Sequence, residues 1–167
     1  MMEMEVTYTH PAGKYYLGDI CYALPKSIYK QVWGEKLKYA YGTHDAEYNG
    51  VTSKFSVNRT MWGDGRYYDD YSDLEFGVDA GVIGLVPIAL CDTEKLIDGK
   101  IRGGHIIESS TPIEYHSEEG IFHISYENNT KIIEIDTGDG SDDEYESDTE
   151  TEEDENNEET DSDDEVA

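Results

Sequence analysis

Three glycine–aspartate corners carry the residue types best suited to chemistry in this chain: Gly18-Asp19 in YLGDICY, Gly63-Asp64 in MWGDGRYY, and Asp79 in GVDAGVIG. Each sets a carboxylate beside glycine, with aromatic or aliphatic flanks. Glycine reaches φ > 0 without strain, so the backbone can turn sharply and present its N–H groups. An aspartate at such a corner can accept hydrogen bonds from its own turn. Alternatively, the three corners meet at one end of the fold. Their mutual repulsion must then be relieved by a cation, by protonation, or by a neighbouring Lys or Arg. An all-oxygen set of this kind suits Ca²⁺ or Mg²⁺. Asp92 and the pair Asp69-Asp70 are further acids that such a cluster would recruit. Asp19, Asp64, Asp79, Tyr22 and Tyr67 form the candidate ligand-binding set, and the three aspartates are the candidate metal ligands. The spacing differs from the calcium loop of an EF-hand.

Other reactive side chains form no recognisable constellation. The five histidines are dispersed, without an H-E-x-x-H or C-x-x-C pattern that would suggest zinc. His116 and His123 can face each other across a hairpin at SEEG. Cys21 and Cys91 lie in apolar surroundings beside an acid, so they read as buried thiols rather than as a disulfide, and no basic neighbour favours a thiolate nucleophile. Walker A, G-x-G-x-x-G and G-x-S-x-G motifs are missing, so no catalytic residue is assigned. Fourteen tyrosines stand against three phenylalanines. Tyrosine combines an apolar ring with a polar tip, which suits half-exposed sheet faces and contact surfaces.

The elements that must position these residues are mostly strands. MEVTYTH alternates, with Met4, Val6 and Tyr8 on one face. KYYLGDICYAL reads as a second strand bulged at Gly18-Asp19. PKSIYKQVWGEKL carries the one convincing helix: Pro25 fits its first turn, Ile28 and Val32 share a face, and Gly34 is a plausible stop. THDAEYNG reads as a turn, VTSKFSVNRTMW as a strand closed by a hairpin at GDG, and RYYDDYSD as a polar excursion. VIGLVPIAL has the β-branched run of a strand buried on both faces, ending at Pro87. One helical turn near EKL, a strand at His105–Ser109, and a three-stranded meander with turns at Glu119-Gly120 and Asn128-Asn129 complete the domain. The expected fold is all-β or β-rich α+β: a compact sandwich or barrel of seven to eight short strands with one short helix.

Charge divides the chain in two. Residues 137–167 hold 17 Asp or Glu and no Lys or Arg, and residues 1–136 carry the remaining −10 of a net −27. The first segment buries too little apolar area to offset backbone ordering, so 137–167 reads as a disordered acidic tail behind a globular domain at 1–136. Its Ser and Thr residues precede acids, a context for acid-directed phosphorylation. Such a charge repels phosphate backbones, so direct nucleic-acid binding is not expected; the tail is read either as a segment that only keeps the protein soluble, the slightly favoured role, or as one that attracts a basic protein partner. No apolar run is long enough for a membrane span, and the N-terminus has no secretory signal pattern, so an intracellular protein that is not secreted is expected.

GDICY at 18–22, WGDGRYY at 62–68 and VDAGVIGLVP at 78–87, followed by EEGIFHI and IEIDT, resemble a family of small, mostly uncharacterised proteins from phages, bacteria and large DNA viruses. The resemblance spans about 15–136. Ile20 stands where that pattern has proline. It implies a compact β-rich domain, possible viral origin with a host-cytoplasm or virion setting, and no established activity. The function expected from all of this is non-enzymatic binding of a partner or ligand at the Gly–Asp/Tyr corner. The alternatives are a metal-dependent hydrolase using Asp19, Asp64 and Asp79, and a charge decoy acting on basic proteins through the tail.

Overall fold

The computed structural model describes residues 6–138, so the acidic segment from 139 onward and the N-terminal Met4 lie outside the described residues. Eleven strands are present among them: β1 (Val6–His10), β2 (Gly13–Gly18), β3 (Gly42–Tyr48), β4 (Val51–Arg59), β5 (Gly65–Tyr68), β6 (Glu75–Val78), β7 (Val82–Pro87), β8 (His105–Ser109), β9 (Ile113–Glu118), β10 (Ile121–Tyr126) and β11 (Lys131–Asp136). They form a four-stranded sheet in the order β1-β9-β10-β11, a five-stranded sheet β3-β4-β7-β2-β8, and a two-stranded ribbon β5-β6. Every pairing is antiparallel.

Strand periodicity explains the layering, because alternate side chains leave opposite faces of a sheet. On β2, Tyr15 and Leu17 join one apolar core while Tyr16 joins a second; on β7, Ile83 and Leu85 join the first while Val82 and Val86 join the second. The first core fills the space between the two large sheets, with Tyr67, Phe76 and Val78 of the ribbon closing one end. The second lies on the far face of the five-stranded sheet, under a helix at Ile28–Lys36 and the turn at Ile20–Tyr22. The five-stranded sheet is therefore buried on both faces, which accounts for the uncharged run of β7. Each core side chain of Leu, Ile or Phe size contributes about 1.5–3 kcal/mol by leaving water.

β4 presents a polar face to the first core. Ser56 and Asn58 are fully buried there. Asn58 Oδ1 accepts a bond from Tyr115 Oη at 2.7 Å. Asn58-Arg59-Thr60 has the form of a glycosylation sequon, and burial of Asn58 closes it to modification in the folded chain.

Several expectations need correction. The stretch read as a turn at THDAEYNG is β3, because Ala46 faces the second core and Gly42–Tyr48 pairs with β4 along its length; only Asn49-Gly50 turns. GDG does not close a hairpin onto β4, whose partners are β3 and β7. It begins the ribbon instead, and the apparent polar excursion RYYDDYSD holds β5 and the turn to β6. These additions raise the strand count above seven or eight. The helix does not stop at Gly34. Its backbone is wound wider than an α-helix, with Leu37 N–H donating to Val32 O at 2.7 Å, so the buried anchors are Ile28 and Trp33, five apart, rather than Ile28 and Val32. The meander β9-β10-β11, the strand at His105–Ser109 and the end of β7 at Pro87 follow the reading from sequence. His116 and His123 are cross-strand partners, and both cysteines are free thiols. Thr137 belongs to the folded unit: it is buried, donates to Gly120 O and accepts from Met61 N–H at 2.8 Å.

Candidate functional site

Asp19 sits directly after β2, where Gly18 ends the strand, and it is completely excluded from solvent. Its Oδ1 accepts the Cys21 backbone N–H at 2.9 Å, which caps the short turn Ile20–Tyr22. Its Oδ2 accepts the N–H groups of Asp79 and Ala80 at 2.7 and 2.6 Å. One buried carboxylate thus shapes its own corner and also clamps a turn sixty residues away. A carboxylate surrounded by backbone N–H donors is stabilised by charge-assisted bonds, roughly twice as strong as neutral ones.

The clamp sets Asp79 at the surface, where Oδ2 accepts the Tyr22 hydroxyl at 2.5 Å. That bond, followed by partial burial, pushes the Tyr22 phenol up to about 12. The Arg102 guanidinium lies over the Tyr22 ring, 5.2 Å from its centroid, a contact worth about 0.5–1 kcal/mol where exposed. Asp64 arrives from the start of the ribbon. The turn at Gly81 is its neighbour: a Cβ placed there would lie 3.9 Å from Asp64 Oδ1.

These groups line a groove of about 740 Å³ between the ribbon, the Asp19 corner and the segment 102–105. Arg66 and Glu75 pair across its outer wall. His105 donates from Nε2–H to Glu75 O, 2.8 Å away, and its ring stands edge-on to Phe76; burial, then the charge of Lys100, lowers its basicity. The floor is backbone. Gly77 N–H bonds Gly103 O at 2.9 Å, and Gly18 and Gly104 pass so closely that a Cβ on Gly104 would lie 2.9 Å from Gly18 Cα and would strike Leu17 O. A side chain at either glycine would force the strand and the loop apart.

The three corners therefore converge, with unequal roles. Asp64 and Asp79 line the groove, and Tyr22 joins them. Asp19 lies beneath, its oxygens engaged by three N–H donors. Tyr67 is drawn into the first core, and its hydroxyl donates to Gly63 O at 2.9 Å, holding the corner that carries Asp64. Asp92 and Asp69 stand elsewhere. Asp92 caps the turn Thr93–Lys95. Asp69 is buried and ties the ribbon turn to β11, accepting from Ser72 Oγ at 2.6 Å and from Glu134 N–H at 2.9 Å. Among the described residues no three His, Cys, Asp or Glu side chains stand in an arrangement that could hold a metal ion. Sequence reasoning missed Arg102, Arg66 and His105. RGGH was the available signal: a double glycine flanked by two polar, basic-capable side chains.

The cysteines are poorly disposed to act as nucleophiles. Burial and then the Asp19 charge push the Cys21 thiol up to about 12, and burial followed by Asp92 pushes Cys91 to about 12. Only a small fraction of either is thiolate at neutral pH.

Comparison with known protein families, curated proteins and solved structures found no match. Among the described residues no helix is long and apolar enough to cross a membrane.

Proposed function

We propose that this domain is a binding module whose recognition surface is the groove at the Gly–Asp corners, and that it takes a polar segment of a partner bearing a basic side chain. The observation that carries this reading is the placement of Tyr22, Asp64, Asp79 and Arg102 around one glycine-floored groove. Arg66 and Glu75 offset each other, and burial keeps His105 from adding positive charge. Asp64 and Asp79 then outnumber Arg102, so the groove favours a cation. The negative charge of the whole chain, −27, draws a basic partner in the same sense. With Asp19 committed to backbone donors, the two groove acids are left for recognition, which favours binding over metal-dependent hydrolysis.

Panning a random heptapeptide display library against the full chain tests the reading. Peptides enriched in Arg or Lys are expected, and the paired variant Asp64→Asn/Asp79→Asn should lose them. Enriched peptides that bind the variant equally well, or no enrichment of basic residues, would remove the groove from consideration.

A further inference from the structure

Basic side chains are scarce in this chain and unevenly placed. Residues 25–41 hold four of its 12 Lys and Arg, namely Lys26, Lys30, Lys36 and Lys38, and one of its 39 Asp and Glu, Glu35. The remaining described residues hold eight Lys or Arg against 19 Asp or Glu. All four lysines are exposed, and among the described residues none of them is in an ion pair.

The packing around the helix keeps this surface positive. Ile28 and Trp33 anchor the helix in the second core, while Lys26 and Lys30 face solvent. Beyond the helix, Lys38 and Tyr39 are both at positive φ, 53° and 62°. Tyr39 N–H donates to Trp33 O at 2.9 Å and its ring stands edge-on to Trp33, which fixes the turn that carries Lys38. β3 contacts the helix segment, and its Ala46 faces the second core; strand alternation turns Asp45 and Glu47 to the other face. The adjoining turn Thr93–Lys95 brings Asp92 and Glu94, but also Lys95, whose Nζ donates to Leu24 O at 3.3 Å. With those three counted, the surface stays net positive.

The counter-charge is in the same chain. Residues 139–167 hold 17 Asp or Glu and no Lys or Arg. The described residues end at Gly138, whose carbonyl accepts from Trp62 Nε1 at 3.2 Å. The 29 residues that follow span up to about 95 Å when extended, and a domain of this size has a radius of gyration of about 14 Å, so the helix is within their reach. A tethered segment meets its site at an effective concentration of about millimolar order. The acids elsewhere on the domain repel it, so the field directs it to the lysine-bearing surface.

We propose that the surface bearing Lys26, Lys30, Lys36 and Lys38 is a docking site for segment 139–167 of the same chain. A basic partner drawn to that segment must then displace it from the helix. Zero-length carbodiimide coupling of lysines to carboxylates in the full chain, read by mass spectrometry, tests this. An equal mixture of ¹⁴N- and ¹⁵N-labelled protein separates links within one chain from links between two. Links from 139–167 to the four lysines should exceed those to the exposed Lys14, Lys100 and Lys131 about threefold per residue, the preference that one exposed ion pair supplies. The excess should vanish in about 0.5 M salt, where the Debye length is about 4 Å. Lys30→Glu/Lys36→Glu, which alters two exposed side chains, should bring Lys26 and Lys38 down to the level of Lys14. Links spread evenly over the exposed lysines would leave 139–167 as a solubility segment. Links mainly between chains would make a second copy the occupant, and links at Lys26 and Lys38 unchanged by the variant or by salt would remove charge as the cause. Each of these results would overturn the proposal.

Discussion

Asp19→Asn is the perturbation that best separates a structural clamp from a surface acid. The carboxylate accepts three N–H bonds through two oxygens: one at Oδ1 and two at Oδ2. An asparagine has one oxygen. Turned toward Asp79 and Ala80, it sets its NH₂ against the Cys21 N–H; turned the other way, it opposes two donors. Hydrogen bonds to a charged group contribute about 1.5–3 kcal/mol each, and a buried donor left unpaired costs about 1–3 kcal/mol. Relief of the buried charge's desolvation offsets part of this. The net expectation is about 2 kcal/mol of destabilisation for Asp19→Asn and about 4 kcal/mol for Asp19→Ala, which orphans all three donors. Urea unfolding followed by tryptophan fluorescence measures it, since Trp33 is buried in the second core. With a slope of about 2 kcal/mol/M, the Asn variant should unfold about 1 M earlier at unchanged slope. Asp64→Asn, on an exposed carboxylate, should stay within about 0.5 kcal/mol of the parent. Asp19→Asn as stable as Asp64→Asn would refute the clamp.

Three further outcomes follow from the packing of the fold. Gly104→Ala should destabilise by about 3 kcal/mol in the same urea assay, because the added carbon meets Leu17 O and the Gly18 backbone rather than a flexible side chain; a neutral result would mean that strand and loop can separate. The His10 pKa is about 4 in the fold against 6.5 for the free side chain, so the unfolded chain gains this proton first. Its contribution is intact above pH 6.5, declines as pH falls, and has lost about 3 kcal/mol by pH 4. The difference between parent and His10→Asn stability curves reads this directly, and a flat difference would contradict a buried neutral imidazole. Iodoacetamide at pH 7.5 should label Cys21 and Cys91 far more slowly in the folded chain than in urea, since burial raises both thiols; equal rates would place them at the surface.

The β-rich class and the closing meander were legible because period-two alternation and left-handed turn residues coincide there, with Glu119, Gly120, Asn128 and Asn129 all at positive φ. β3 was hidden because only Ala46 on it is buried, and a polar edge strand carries no alternation signal. β5 was hidden for a related reason: Arg66 and Tyr68 face water, leaving Tyr67 as the lone buried residue of four. The helix was legible, its winding was not, since Ile28, Val32 and Trp33 satisfy either period. The convergence of the Gly–Asp corners was legible as a pattern of residue types, while the division of labour among them depends on burial. Nothing in the letters distinguishes Asp19, enclosed under β7, from Asp79, which the 19–79 contact holds at the surface. Arg102 went unread because a lone arginine acquires meaning only when a ring is beneath it.

The central claim is that a buried Asp19 carboxylate fixes the Asp79-Ala80 turn and thereby builds the groove. Both turn residues are exposed, yet their N–H groups are bound at 2.7 and 2.6 Å. Amide hydrogen exchange by NMR on the full chain measures this most directly. Protection of the Asp79 and Ala80 amides comparable to core strand β7, lost in Asp19→Asn, is the predicted result. Exchange of those two amides at the rate of an open turn would contradict it.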